Sequence, residues 1–220
     1  MMGRLYTLYW GPEMGSAAVQ AVLSWGNFPH HLAQVNFGNS EHKTAAYLTL
    51  NPAGKIPALG LPDGTLLTES GAMILYLSDL VPDKALMPAM DSPLRAQALR
   101  WLFFLASEVY PQILLTYHLS AFVDGDAACK SLADKATQTL DKLSDILVCQ
   151  PLSQHRFILN EQLSAVDIYA AMLLSWHPNL RQLCQRQPHI SALIRDVWAN
   201  PHVDQAFRHH RLQYPPNGAA

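Results

Sequence analysis

The sequence predicts two halves of different class: a small sheet covered by helices, then an all-helical half. Three observations carry that prediction. Strand and helix patterns alternate from Leu5 to Leu80, a break with three prolines runs from Val81 to Pro93, and strand signals almost vanish beyond it. Alternation of this kind argues for helices packed on a sheet, and a run of helical stripes argues for helix packed on helix.

In the first half, Leu5–Trp10 reads as a strand that runs into Gly11-Pro12. Ser16–Trp25 reads as a helix, with Ala18, Val22 and Trp25 on one stripe and Val19 and Leu23 beside it. His31–Asn36 reads as a second strand, and Glu41–Leu50 as a short helix or irregular turn. Ile56–Leu61 and Thr65–Leu67 flank Pro62-Asp63-Gly64, a hairpin signal. Glu69–Leu80 reads as a helix with Met73, Leu77 and Leu80 on one side. The element order is βαβαββα.

Pro82, Pro88 and Pro93, with Asp83 and Asp91, mark the break as a linker. After it, Leu94–Val109 carries a helical stripe that Pro111 should kink or interrupt. Ala127–Val148, Ser164–Leu174 and His189–Trp198 read as further helices. Ser164-Ala165-Val166-Asp167 has the form of a capping box, a folding signal worth about 1 kcal/mol. The expected organisation is residues 1–81, a linker 82–93, a helical domain 94–213 and a loose tail 214–220.

Composition narrows the function. Of 220 residues 50% are hydrophobic, enough for a sizeable core, and the formal charge of -2 disfavours nucleic acid as a partner. No apolar run is long enough for a membrane span, and the N-terminus lacks a signal-peptide pattern. Cys129, Cys149 and Cys184 are widely spaced, form no CxxC pair and read as packing residues of a cytoplasmic protein. The ten histidines are scattered and no metal-ligand spacing exists, so no metal is expected.

Two stretches could hold a ligand. In Asn51-Pro52-Ala53-Gly54-Lys55-Ile56-Pro57-Ala58-Leu59, a cis Ile56-Pro57 bond would leave the backbone of Ile56 free to pair with an extended peptide. An ordinary trans proline at a strand start is the simpler reading of that motif taken alone. At Thr68-Glu69-Ser70 a strand gives way to a helix, whose N-terminus and Ser70 suit a carboxylate while Glu69 suits an ammonium group. Plain capping by Thr68 or Ser70 also accounts for it. Together the two stretches suit a peptide backbone ending in a free amino acid.

The pieces LYWGPEMGSAA, NPAGKIPAL, LPDGTLLTESGAMILYL and LSAVDIYAAML, in this order and with the linker after Leu80, resemble the glutathione S-transferases of the bacterial cytosolic type. The resemblance implies a thioredoxin-like N-terminal domain, an all-helical C-terminal domain, a cytoplasmic homodimer and a role in detoxification. It implies that Pro57 is a cis-proline, that Ile56 pairs with the cysteinyl part of glutathione, and that Glu69 and Ser70 hold its γ-glutamyl end. Lys55, with His42 or Lys43, would lie near the glycyl carboxylate, and Asp167 would keep its folding role. Glutathione is then a co-substrate whose thiolate attacks an apolar or aromatic electrophile. The alternative is a non-catalytic protein of the same fold that binds ligands or partners.

The sequence departs from the family pattern at the opening turn. Related enzymes of one class carry cysteine where this chain has Gly15. Ser16, at the start of the first helix, becomes the candidate thiolate stabiliser, through its hydroxyl or its backbone N–H; Tyr6 and Tyr9 in the first strand are weaker candidates, and a plain N-cap is the competing role for Ser16. Trp10 and Met14, with Tyr110, Tyr117 and Trp176 from the helical half, are the candidate walls of a second-substrate pocket.

Overall fold

A computed structural model describes residues 5–213. The expected tail 214–220 lies outside them. The chain forms two compact units, residues up to Met87 with Asn200–Gln213, and Pro88–Ala199.

In the first unit the strands β1 (Tyr6–Trp10), β2 (His30–Gln34), β3 (Ala58–Gly60) and β4 (Leu66–Leu67) form one sheet in the order β2-β1-β3-β4. β1 runs parallel to β2, with Leu8 opposite Leu32, and antiparallel to β3, with Leu8 opposite Leu59. The helix α1 (Ser16–Trp25) makes the crossover between the parallel pair. α2 (Ala45–Leu50) and α3 (Ser70–Asp79) complete the expected βαβαββα order. Leu8 and Leu59 are fully buried, as are Ala18 and Val22 of α1 and Met73, Ile74 and Leu77 of α3. Every residue of α1 from Ser16 to Leu23 is buried, so this helix is enclosed rather than amphipathic.

The expected boundaries need two corrections. The segment 82–93 is not a loose linker throughout, because Leu86 and Met87 are buried with the first unit. The helical domain does not run to 213 either. The last helix, whose apolar face buries Val203, Ala206 and Phe207, packs on α1 and belongs to the first unit.

The second unit is helical: α4 (Pro93–Phe104), α5 (Tyr110–Tyr117), α6 (Asp126–Leu147), α7 (Ala165–Ser175), α8 (Leu180–Arg186) and α9 (Pro188–Trp198). The last helix of the chain is α10 (Pro201–His209). Pro111 does not break the first helical run. A wide π turn over Leu105–Val109 precedes it, and Pro111 sits in the first turn of α5, where a missing N–H costs little. α7 is the centre of the unit, buried from Ala165 to Leu174. Its capping box is present: the Ser164 N–H donates to Asp167 Oδ2 at 2.8 Å, and the Ser164 hydroxyl donates to the same oxygen. Asp167 Oδ1 accepts the Ile158 N–H at 2.7 Å, which ties the incoming loop to the helix. Burial pushes the Asp167 carboxyl up to about 6, against the pull of those hydrogen bonds. No helix among the described residues is long and apolar enough to cross a membrane.

Candidate functional site

Three loops of the first unit carry the expected ligand residues. The first lies between α2 and β3. Thr44 caps α2, accepting the Tyr47 N–H at 3.3 Å. The buried Asn51 then shapes the turn: its Nδ2 donates to the Lys55 carbonyl at 2.8 Å, and its Oδ1 accepts the Ala53 N–H at 3.2 Å. The Tyr47 hydroxyl donates to the same Lys55 carbonyl, also at 2.8 Å. Gly54 has φ +60°, and a Cβ there would stand 3.2 Å from the His42 carbonyl oxygen. The loop is thus held from inside by two side chains, with the Lys55 side chain exposed. The Ile56–Pro57 bond that follows is cis. Neither backbone polar group of Ile56 has a hydrogen bond among the described residues.

His42, expected near a ligand carboxylate, is buried with its ring stacked on Phe37 at 4.0 Å. Its Nδ1 has no partner among the described residues, and burial lowers its pKa. It is a neutral ring, and Lys43 and Lys55 are the exposed cations of this region.

The second loop is the start of α3. Neither Thr68 nor Ser70 is the N-cap residue; Glu69 is, without a side-chain cap. Glu69 has φ 63° and ψ 108°, a conformation that an L-residue adopts at a cost. Its side chain is exposed, with no hydrogen bond or ion pair among the described residues, while Ser70 beside it is buried.

The third is the opening turn, where both expected roles of the Ser16 hydroxyl are corrected. Ser16 is the first residue of α1, and the N-cap is Gly15, so the hydroxyl is not a cap. Nor does it face a ligand, because Ser16 is fully buried. Its Oγ lies 3.4 Å from the Gly11 N–H, 3.3 Å from the Gly11 carbonyl and 3.2 Å from His210 Nδ1. The backbone N–H of Ser16 has no partner among the described residues. Glu13, at φ 56°, donates its N–H to the His210 carbonyl at 2.7 Å. His210 is the residue that the sequence reading missed. The signal was available: Val203, Ala206, Phe207 and His210 follow helical spacing behind Asn200-Pro201, a helix start.

Trp10 does not line an open wall. It is buried, with its ring 4.3 Å from that of His209 and 4.8 Å from that of His210. Met14 is half-buried in the same unit. In the second unit Tyr110 and Trp176 face each other at 5.9 Å, and the Tyr117 hydroxyl donates to the Trp176 carbonyl at 3.0 Å. Of the cysteines, Cys184 is buried and Cys129 half-buried, but Cys149 is exposed, contrary to the packing role expected of all three. No group of three metal-ligating side chains occurs among the described residues.

Comparison with known proteins covers both units. The glutathione S-transferase N-terminal domain matches residues 16–80, and the glutathione S-transferase C-terminal domain matches residues 110–201. The glutathione S-transferase-like protein FUS3 of Gibberella fujikuroi is 30% identical over 173 residues, 76% of this chain and 79% of that protein. The glutathione S-transferase GstA of Escherichia coli O157:H7 is 27% identical over 161 residues, 73% of this chain and 76% of that one. A glutathione transferase homolog from Sulfitobacter, solved with bound glutathione, matches with a TM-score of 0.85 at 25% identity, over 96% of this chain and all of the other. The thioredoxin-like first half and the helical second half each match their counterpart in order, and the chain belongs to the glutathione S-transferase family.

Proposed function

We propose that this protein is a glutathione transferase that binds glutathione in its first unit and joins its sulfur to an apolar or aromatic electrophile. The observation that carries the reading is Glu69. An exposed carboxylate held at φ 63° immediately before a helix start is a conformation that folding alone gives no reason to keep. A ligand with an ammonium and a carboxylate on one carbon gives a reason. Glu69 meets the ammonium, and Ser70 with the first N–H groups of α3 meets the carboxylate.

The remaining contacts follow along the tripeptide. The backbone of Ile56 pairs with the cysteinyl residue as an added strand would. Lys55, with Lys43 beside it, neutralises the glycyl carboxylate, and His42 contributes shape rather than charge. That geometry directs the thiol to the start of α1. There the positive end of the helix stabilises the thiolate. The thiolate lone pair forms the new S–C bond, and the electrons of the broken bond leave with the departing group or pass to the acceptor. The thiol proton goes to water.

The second substrate meets apolar side chains. Met14 remains its candidate contact in the first unit. The cytoplasmic location, the homodimer and the detoxifying role belong to the same reading and rest on the family. The inward turn of the Ser16 hydroxyl favours a second reading, a protein that binds glutathione without turning it over. Calorimetric titration with glutathione, paired with conjugation of a panel of aryl halides and activated alkenes, separates the two. Binding with turnover supports the transferase, binding without turnover supports the second reading, and no binding removes both.

A further inference from the structure

A polar cluster on α10 lies outside the roles described so far. Gln20 of α1 is buried, and its Oε1 stands 2.8 Å from His210 Nε2 and 2.9 Å from His209 Nδ1. On its other side His210 Nδ1 stands 3.2 Å from the Gly11 carbonyl, so the ring bridges α1 and the opening turn. Ser16 Oγ completes the group, 3.2 Å from Nδ1 and 3.3 Å from the Gly11 carbonyl. The same oxygen accepts the Gly11 N–H. The His210 carbonyl receives the Glu13 N–H, so ring and backbone of one residue hold both ends of the turn.

The surroundings keep His210 neutral. It is fully buried, with the Trp10 ring against it, and burial brings its pKa down to about 4. The titratable groups facing it are His209 on its own element and the exposed Glu13 in the turn.

We propose that His210 is a positioning residue for the thiol-binding turn: it holds the Ser16 hydroxyl inward and pins residues 11–16, so that the turn offers backbone N–H groups to the thiolate. This rests on the glutathione reading above. Without His210 the Ser16 rotor is freed, the Glu13 end of the turn loosens, and the N–H groups no longer converge on the sulfur.

Two variants divide the ring between them. Asn places its amide near the position of Nδ1 and keeps the Gly11 and Ser16 contacts; Gln reaches toward Gln20 and loses them. In His210→Ala and His210→Gln, the pH profile of kcat/KM for glutathione with an aryl halide should move up by about one unit, an about tenfold loss at pH 6.5, while His210→Asn stays within about threefold of native. Hydrogen exchange on the full chain without glutathione gives an independent measure: amides of residues 11–16 should exchange at least about tenfold faster in the Ala and Gln variants and not in Asn. A native pH profile in folded His210→Ala, or Asn and Gln variants that behave alike, overturns the proposal. If the native protein binds no glutathione, the functional reading falls with the thiol role; unchanged exchange in His210→Ala then overturns the clamp as well.

Discussion

Glu69 offers a test in which strain and function pull apart. At φ 63° and ψ 108° its backbone costs an L-residue about 1–3 kcal/mol, and glycine almost nothing. Glu69→Gly removes that strain against about 0.4–1 kcal/mol of added freedom in the unfolded chain. Glu69→Ala keeps the Cβ and therefore the strain. The Gly variant should be the more stable of the two by about 1 kcal/mol, or about 2–4 °C in melting temperature for a chain of this size. Both variants lose the carboxylate. A hydrogen bond to a charged group is worth about 1.5–3 kcal/mol, and because Glu69 is exposed, screening trims this to about 1–2. Glutathione should therefore bind about 5- to 30-fold more weakly to either variant. Calorimetry supplies both numbers, by thermal scan and by titration. An Ala variant as stable as Gly refutes the strain argument, and native affinity in both variants refutes the placement of the ammonium group.

Other perturbations probe the frame around the site. Asp167→Ala leaves the Ser164 and Ile158 N–H groups buried without their acceptor and should destabilise by about 2–5 kcal/mol in urea unfolding; a loss under 1 kcal/mol would show the box to be redundant. Gly54→Ala places a Cβ at φ +60° and 3.2 Å from the His42 carbonyl oxygen, so it should cost about 1–2 kcal/mol and weaken glutathione binding together. A neutral loss in both measurements would remove Gly54 from the argument. The depressed His210 pKa makes the native chain pay on acidification: its contribution to stability is intact above about 6.5 and is lost as pH falls toward about 4. The stability deficit of His210→Asn should accordingly shrink by about 2–3 kcal/mol between pH 7 and pH 4.5, and a deficit constant with pH would contradict the burial of a neutral ring.

Local pattern carried most of the fold. The alternation in Leu5–Trp10, the stripe of Ala127–Val148 and the Ser164–Asp167 box each report on neighbours within a few residues, and each appears as an element near its expected place. The start of α3 was legible for the same reason, but the conformation of Glu69 was not, since nothing in a sequence marks a positive φ at a glutamate. The wide turn at Leu105–Val109 was hidden because proline rules speak of a lost N–H, not of the extra residue that can absorb it. The Ser16–His210 contact joins residues 194 apart and depends on α10 folding back onto α1. A stripe of apolar residues says that a face is buried, not what covers it. The domain boundary failed on the same point, because α10 was assigned by its place in the chain rather than by its packing.

The inward hydroxyl changes what the opening turn must supply, and magnitudes decide whether the change is fatal to catalysis. A free thiol has a pKa near 8.5, so about 3% is thiolate at pH 7. The positive end of α1 contributes about 1 kcal/mol to an anion beside it, and one N–H hydrogen bond to a charged acceptor about 1.5–3 kcal/mol. Together they lower the pKa by about two to three units, which makes more than half of the bound thiol thiolate at pH 7. A side-chain donor is therefore not required, and neither is the cysteine replaced by Gly15. What the turn does require is that its N–H groups stay aimed at one point, because a misdirected donor forfeits most of that hydrogen bond. On this reading the start of α1 serves the thiolate, while the Ser16 hydroxyl serves the turn.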